Sequence, residues 1–284
     1  MVRYDGIRAD WLGYATLRLE APTPELDDGT GDSTAEDRTV VYCDPGRYGV
    51  LSGEWPPADA SGDSDPGHHP HGPAVEPRDG DLVCVTHDHH YDSAAIRRVA
   101  GEDATVVVFE GVNTHRIDRD VERPVDLPFE VRRVDDEADI AVGDVVVRTT
   151  PAFNHPDGPH THASGEPIHP EGFGCGFHLT LSSPRASDDG TRGSVRVYWP
   201  GDTDVLEGHA ELDVDLFCPP IGGSFTMDRH AAAELATAMD PGLVLPVHYN
   251  TFDALTTDSR AFAADVAEAG VPVVLAEPWP DDLF

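Results

Sequence analysis

The sequence predicts an α+β fold in which two β-sheets pack face to face with helices on the outside. Strand-like segments dominate both halves of the chain, and helix-like segments occur singly between them. Each sheet must bury one face, so two strand-rich halves are expected to bury these faces against each other. The 284 residues, 39% of them hydrophobic, suffice for one large domain, and we expect residues 1–284 to form it.

Short runs rich in β-branched and aromatic residues, bounded by turn residues, predict the strands. They lie near residues 2–8, 12–20, 39–43, 82–86, 105–109, 129–134, 139–149, 173–182, 194–199, 215–218, 243–247 and 271–275. Helices are predicted at about 93–100, 111–117, 228–239 and 259–269. The third of these contains an alanine-rich run, a composition that favours helix.

Two stretches, near residues 21–38 and 52–80, are predicted to be acidic surface insertions. They are rich in Pro, Gly, Asp and Ser and contain almost no apolar periodicity. The second includes His68, His69 and His71, which we interpret as part of a solvated insertion, the alternative being a lid or a metal-delivery tract.

The chain is strongly acidic. It has 53 Asp and Glu against 19 basic residues, all of them arginine, and a formal net charge of -34. At ordinary ionic strength so much like charge destabilises a compact protein, whereas about 1 M salt shortens the Debye length to roughly 3 Å. Because the acidity is spread along the chain, it favours adaptation to a salt-rich, haloarchaeal-type cytoplasm over a binding surface for basic partners.

Several features favour a cytoplasmic protein without a membrane partner. No apolar run reaches the ~18 to 20 residues that cross a bilayer, and residues 1–6 lack the apolar core of a signal peptide. The four cysteines, Cys43, Cys84, Cys175 and Cys218, have no Cys-x-x-Cys spacing. They are interpreted as small buried hydrophobic residues.

The densest group of functional side chains follows the strand predicted at 82–86, where residues 86–92 read THDHHYD. A strand that ends in His-x-His directs both rings to the same side of its sheet. Imidazoles and carboxylates together suit zinc and similar divalent ions. For an isolated His-x-His, a solvated histidine-rich loop would be an equal alternative.

Three later strand ends favour the metal site. His155 follows the strand-like residues 145–152, Asp202 follows 195–199 within a Gly-Asp-Thr sequence, and His248 comes at the end of a third apolar run. Four strand ends therefore offer His-x-His, His, Asp and His in that order.

This order resembles the metallo-β-lactamase superfamily, and it is most similar to the lactonase-like and uncharacterised metal-dependent hydrolase branch. Flanking segments resemble further signatures of that branch: WLGYAT from residue 11, VYCDP from 41, PIGGSFTM from 220 and PVHYNTF from 246. The resemblance implies an αββα sandwich of two mixed β-sheets flanked by helices, with a metal-dependent hydrolase site along one edge of the sheets.

The chain departs from the superfamily pattern at one place in this motif. The usual His-x-His-x-Asp-His would put Asp at 91 and His at 92, but the chain has Tyr91 and Asp92. The motif can be aligned with the superfamily pattern by a substitution or by a one-residue insertion, and either alignment directs Asp92 toward a second metal. His90 is an alternative nitrogen ligand, although its position next to His89 suggests that its ring points elsewhere. Tyr14 is a second departure, since many relatives have histidine there.

The resemblance implies a ligand set for two divalent ions, with zinc favoured by the histidine count and manganese as the alternative. His87, His89 and His155 would form one site; Asp202 would bridge; and Asp92 and His248, with His90 as an alternative, would complete the second. Asp92 and Asp202 are the candidate catalytic carboxylates. Asp88 is a candidate proton acceptor or support for a ligand ring, with an exposed carboxylate at a helix start as an equal alternative. His160, His162 and His169 are candidates for substrate contact.

The predicted function is hydrolysis of a small ester, lactone or phosphodiester by a metal-bound hydroxide. The alternative is a degenerate, non-catalytic metal-binding or regulatory protein, and a nuclease comes third because phosphate backbones need basic surfaces. The expected partner is a small-molecule substrate. The sequence leaves the substrate, the metal and the oligomeric state open, a homo-oligomer being one option.

Overall fold

The computed structural model describes residues 1–23, 38–47, 49–52, 74–186 and 192–277. Most of the two predicted insertions, including His68, His69 and His71, lies outside the described residues.

Seven strands form the first sheet, in the order β1-β2-β3-β4-β5-β6-β7. They are β1 (Val2–Tyr4), β2 (Ile7–Gly13), β3 (Thr16–Pro22), β4 (Arg38–Cys43), β5 (Gly80–Val85), β6 (Ala100–Phe109) and β7 (Glu130–Val134). Neighbours from β1 to β4 pair antiparallel, and neighbours from β4 to β7 pair parallel. Because β4 and β5 are parallel, the segments that follow them leave the sheet at the same edge.

Six strands form the second sheet, in the order β13-β12-β11-β10-β9-β8. They are β8 (Asp139–Val142), β9 (Val145–Ala152), β10 (Gly174–Ala186), β11 (Arg192–Trp199), β12 (Leu216–Phe217) and β13 (Leu243–Val244). Strands β11, β12 and β13 run parallel, and the remaining neighbours are antiparallel. The chain therefore leaves β11 and β13 at a common edge as well.

Among the described residues, three α-helices accompany the sheets: α1 (Ser93–Val99), α2 (Arg229–Met239) and α3 (Ser259–Glu268). Each begins after an aspartate, at 92, 228 or 258, whose side chain accepts a hydrogen bond from a backbone N–H in the first turn. Helices α2 and α3 pack against each other. Within the described part of the chain, no helix is long and apolar enough to cross a membrane.

The core lies between the two sheets, where β3 of the first sheet contacts β10 of the second. Leu17 and Leu19 of β3 are fully buried, as are Phe177 and Leu179 of β10. Burial of this apolar surface supplies the main favourable term of folding. The four cysteines are buried and unbridged within this core.

The predicted fold class, two mixed sheets with few helices, is confirmed. The boundaries differ where turns interrupt apolar runs. The first two predicted strands are three, because Asp5 and Gly6 turn the chain with positive φ angles of 43° and 86°. Gly143, at φ 57°, divides the run 139–149 into β8 and β9. The helix predicted at 111–117 is a 3-10 turn at Thr114–Arg116, and the strand predicted at 271–275 is reduced to a bridge between Val273 and Val244.

Candidate metal centre

The loop after β5 turns back on itself, and this turn brings three histidine rings together. The backbone N–H groups of His90 and Tyr91 donate to the carbonyl of His87 at 3.2 and 3.1 Å. The ring centroids of His87 and His90 are consequently 4.3 Å apart. In an extended strand, side chains three positions apart would point to opposite faces. The strand ends at His87 and the chain turns, so the rings of His87 and His90 lie on the same side.

One group of candidate ligands consists of three histidines and a carboxylate. Single ligand atoms of His87, His89, His169 and Asp202 all lie within 4.8 Å of one another. Asp202 Oδ2 is 3.5 Å from Nε2 of both His87 and His169. Nδ1 of His89 lies 3.1 Å from Nε2 of His169.

The second group shares the same aspartate. Asp202 Oδ1 is 3.6 Å from His90 Nε2 and 3.4 Å from His248 Nε2, and the two Nε2 atoms are 3.2 Å apart. Asp202 therefore presents one oxygen to each group, so that its carboxylate could be shared by two cations if both groups held one. His248 has a left-handed backbone, φ 57°, and its N–H donates to the carbonyl of Tyr14 at 3.0 Å.

Asp44, which directly follows β4, orients the side chains of Thr86 and His90 and contacts the second sheet through Trp199. Its Oδ2 accepts hydrogen bonds from His90 Nδ1 at 2.9 Å and from Trp199 Nε1 at 2.8 Å. Thr86 donates to the same carboxylate from both its N–H and its hydroxyl, each at 2.8 Å, and the hydroxyl lies 2.8 Å from His87 Nδ1. A carboxylate that holds the far ring nitrogen of a histidine is the usual support of a metal ligand.

Asn154 and Asp204 hold His169 in a similar way. Asn154 Oδ1 accepts from the backbone N–H of His169 at 2.9 Å and lies 3.1 Å from its Nδ1. The Asn154 amide donates to Asp204 Oδ1 at 3.2 Å, and Asp204 also accepts from His160 Nδ1 at 2.6 Å. With Nδ1 held by an acceptor, the Nε2 lone pair of His169 is directed at the cluster.

The backbone before Asp202 requires glycine. Gly201 has φ +70°, and a Cβ there would lie 2.5 Å from the carbonyl oxygen of Cys175. Any larger residue would push the segment away from β10. The close approach places the Asp202 carboxylate between the two groups of histidines.

Burial keeps most of these imidazoles neutral. It lowers the pKa of His89 and His169 to about 3 and that of His248 to about 4, and it holds the pKa of His87 well below the usual value. Burial also opposes protonation of His90, but the Asp202 and Asp44 carboxylates outweigh it and raise its pKa. Neutral imidazoles keep the lone pair that a metal ligand needs.

The donor set fits divalent cations. His87 Nε2 and Asp202 Oδ1 are buried and have no hydrogen-bond partner among the described residues. An unpaired polar atom in the interior costs free energy unless something binds it. Cations between these groups would satisfy both atoms, and imidazole nitrogens with a shared carboxylate are ligands that zinc accepts.

The structure does not bring His155 to the cluster. Its side chain is exposed, and its Nε2 donates to the carbonyl of Val205 at 2.9 Å. Its backbone N–H donates to Asp204 at 2.8 Å, so this position serves the support of His169 instead. The sequence indicates His169 only as a candidate for substrate contact, but the structure places it in the group of candidate ligands where chain order suggests His155.

Asp92 is likewise placed outside the cluster. Its Oδ1 accepts from Ala95 N at 3.0 Å, and its Oδ2 accepts from Arg47 N at 3.1 Å. It is the N-cap of α1, because the turn at residues 87–91 has already directed the chain away from Asp202. His90, the alternative ligand, occupies the second group in its place.

The other residues of the motif, Tyr91 and Asp88, and the separate Tyr14 also have structural roles. The buried Tyr91 donates its hydroxyl to the carbonyl of Glu122 at 2.7 Å. Asp88 accepts from Asn113 N at 2.6 Å and pairs with Arg116 at 2.7 Å. Tyr14 packs beside the second group, with its ring centroid 4.6 Å from that of His248.

A family model described as the Beta-lactamase superfamily domain matches residues 34–248 of this sequence. The chain belongs to the metallo-β-lactamase superfamily. A UPF0173 metal-dependent hydrolase of Carboxydothermus hydrogenoformans is 30% identical over 207 residues, which cover 70% of this chain and 79% of that protein. A UPF0173 metal-dependent hydrolase from Thermococcus kodakarensis is 29% identical over 216 residues, which cover 71% of this chain and 82% of that protein. This superfamily member is thus similar to metal-dependent hydrolases along most of its length.

Solved structures show the same architecture at low identity. Igni18, a metallo hydrolase from Ignicoccus hospitalis, has a TM-score of 0.58 at 20% identity and covers 96% of this chain and 95% of its own. CmlA, a diiron β-hydroxylase from Streptomyces venezuelae, has a TM-score of 0.54 at 14% identity, and the match covers 96% of this chain and 53% of CmlA. These likenesses show the fold alone, and the fold by itself does not name the reaction.

Proposed function

We propose that this protein is a dinuclear metal-dependent hydrolase, similar to the lactonase-like branch, that acts on a small ester, lactone or phosphodiester in a salt-rich cytoplasm. The observation that carries the proposal is Asp202, whose two oxygens face two separate groups of histidines. Membership of a superfamily whose similar members are described as metal-dependent hydrolases supports it.

The ligands proposed for one ion are His87, His89, His169 and Asp202, and those for the other are His90, Asp202 and His248. Zinc is proposed because imidazole nitrogens dominate both groups, with manganese as the alternative. Bound divalent cations would supply a nucleophilic water at neutral pH and stabilise negative charge on the attacked carbonyl or phosphoryl oxygen.

The protein's own residues would keep this centre rigid. Asp44 holds the His90 ring, and Asn154 holds the His169 ring, so the nitrogens that face the cations cannot rotate away. The second group also weakens the case for a degenerate, non-catalytic protein. That alternative depends on a missing second-site nitrogen, and His90 supplies one.

Metal analysis tests the proposal first. Protein purified in molar salt and remetallated with zinc should hold about two ions per chain. His87→Ala and Asp202→Ala should lose metal and hydrolysis together. His230→Ala is the matched control, because this histidine is exposed on α2.

Two results would count against the proposal in different ways. A metal content well below one per chain after remetallation would rule out the dinuclear centre. Full metal content without turnover on a broad panel of esters, lactones and phosphodiesters would favour the metal-binding, regulatory alternative.

A further inference from the structure

The degree of burial of the ligands shows from which side a substrate reaches the centre. His87, His90 and His248 are each 1% exposed, His169 is 2% exposed, and Asp202 is 5% exposed. His89 is only partly buried. The solvent-facing side of the cluster is therefore the side of His89.

Three arginines surround this open side, and all are attached to the loop that carries His89. Arg47 Nη1 donates to the carbonyl of His89 at 2.8 Å. Arg116 Nε lies 2.7 Å from the Asp88 carboxylate, and Arg119 Nη2 donates to the carbonyl of Tyr91 at 2.9 Å. We call Arg47, Arg116 and Arg119 the arginine rim.

The rim is adjacent to the candidate ligands on two sides. The Arg47 guanidinium is 3.4 Å from the Tyr14 hydroxyl, and the Tyr14 ring packs beside His248. The Arg116 guanidinium lies 5.1 Å above the ring of Phe173, whose centroid is 5.2 Å from that of His89. A molecule that approaches His89 would therefore meet guanidinium groups next to the metal centre.

Three arginines around one loop are a notable grouping in a chain with 53 acidic and 19 basic residues. An anionic molecule would be repelled by most of such a surface. Asp88 and Asp92 compensate part of the charge, but the Arg116 and Arg119 side chains remain 48% and 31% exposed. Arg116 also lines a cavity of about 880 Å³ together with Arg123, Arg133 and Glu110, so further arginines lie beside it on the side away from the centre.

We propose that the arginine rim binds a carboxylate or phosphate group of the substrate, so that the hydrolase acts on an anionic ester or lactone. The inference rests on the proposed function and names its substrate class. Guanidinium groups suit this task because they present several N–H donors in a fixed plane that matches either anion. Their attachment to the loop means that little side-chain freedom is lost on binding.

A pair of lactones that differ in one group tests the substrate class. In 1 M KCl, we would compare kcat/KM for 5-oxotetrahydrofuran-2-carboxylate with that for γ-valerolactone, which has a methyl group in place of the carboxylate. Wild type should prefer the carboxylate. Arg116→Gln and Arg119→Gln should each reduce that preference about ten-fold, the effect of losing one charge-assisted hydrogen bond. Arg148→Gln is the control, because this exposed arginine pairs with Asp139 far along the chain from the loop.

Binding measured by calorimetry keeps the test independent of turnover. The probes are 2-hydroxyglutarate for a carboxylate and glycerol phosphate for a phosphate, and the tighter of the two identifies the anion. Arg116→Gln should weaken that binding about ten-fold, and Arg116→Lys should restore part of it. Unchanged binding in the Gln variants, or no binding of either anion by wild type, would overturn the proposal. If anions bind through the rim but neither lactone turns over, the rim stands and the proposed hydrolysis fails.

Discussion

At the residue scale, the histidine that follows β9 is not the one that reaches the centre. The exposed ring of His155 donates a hydrogen bond to the carbonyl of Val205. Asn154, one position earlier, is buried and its side chain accepts a hydrogen bond from the His169 ring. Both histidines belong to the same connection between β9 and β10. Hydrogen bonds made by the connection, and not distance from the strand end, decide which of the two histidines lies in the candidate cluster.

His169→Ala and His155→Ala should therefore differ sharply. We expect His169→Ala to lose the ion of the first group, because its Nε2 is one of the four ligand atoms proposed for that ion. His155→Ala should retain both ions and most activity, since its ring only donates to a carbonyl. Zinc content by elemental analysis measures the difference. Equal metal loss in both variants would contradict the ligand set proposed above.

A second residue-scale effect concerns acid stability at His209. Burial lowers the pKa of this histidine to about 4. The folded-state pKa of His209 is below its unfolded value of ~6.5. The contribution of the neutral ring to stability is therefore complete above pH ~6.5 and is lost as the pH falls toward 4. The maximal effect is on the order of 3 kcal/mol.

His209→Gln should flatten this pH dependence. We expect the free energy of unfolding of the metal-free protein to fall less between pH 6.5 and 4 in the variant than in wild type. Urea unfolding in molar salt at several pH values measures it. His230→Gln, which changes an exposed histidine, should follow wild type; identical slopes in all three proteins would refute the role of His209.

At the scale of elements, α1 explains the departure of the motif from its superfamily pattern. The helix begins directly after Asp92, and the aspartate caps it. Both oxygens of the Asp92 carboxylate accept hydrogen bonds from backbone N–H groups, and this position keeps the side chain away from the second group of candidate ligands. The turn at residues 87–90 meanwhile brings His90 to the second group, so one short segment both starts a helix and supplies three candidate ligands.

Replacing Asp92 should affect stability more than metal content. Asp92→Ala should cost about 1 kcal/mol, the usual effect of losing an N-cap, whereas Asp92→Asn should cost little because asparagine caps equally well. Both should bind two ions. Thermal unfolding and metal analysis check this, with Asp258→Ala at the start of α3 as the matched cap control. Loss of one ion in Asp92→Asn would restore the original ligand hypothesis.

At the scale of the whole molecule, charge dominates. Even if every basic side chain were paired, the formal charge of -34 would remain. Mutual repulsion of these carboxylates opposes the compact state unless salt screens it. The fold should therefore depend on ionic strength much more than that of an ordinary protein.

The melting temperature should fall steeply as potassium chloride is lowered from molar concentration to ~0.1 M, where the Debye length grows to about 10 Å. Circular dichroism melting across that range measures it, with sucrose as a control for non-electrostatic stabilisation. A flat melting temperature would show that the acidic composition is not an adaptation to salt.

The sequence by itself determined the two-sheet architecture and the superfamily. The continuous apolar run of β5 and the alternating pattern of β9 are local signals, and strand ends that meet at one edge follow from parallel pairing. His87, His89, Asp202 and His248 could be proposed because each immediately follows or ends such a run.

Only the tertiary structure decided how His90, His169, Asp92 and His155 are used. Their directions depend on a turn whose hydrogen bonds return to His87, and on Asn154 and Asp204, which are 50 residues apart in the chain. Periodicity describes side chains on regular strands and ceases to apply where the backbone turns. Metal ligands on loops are oriented by partners distant in sequence, so their identity emerges only when the two sheets have packed.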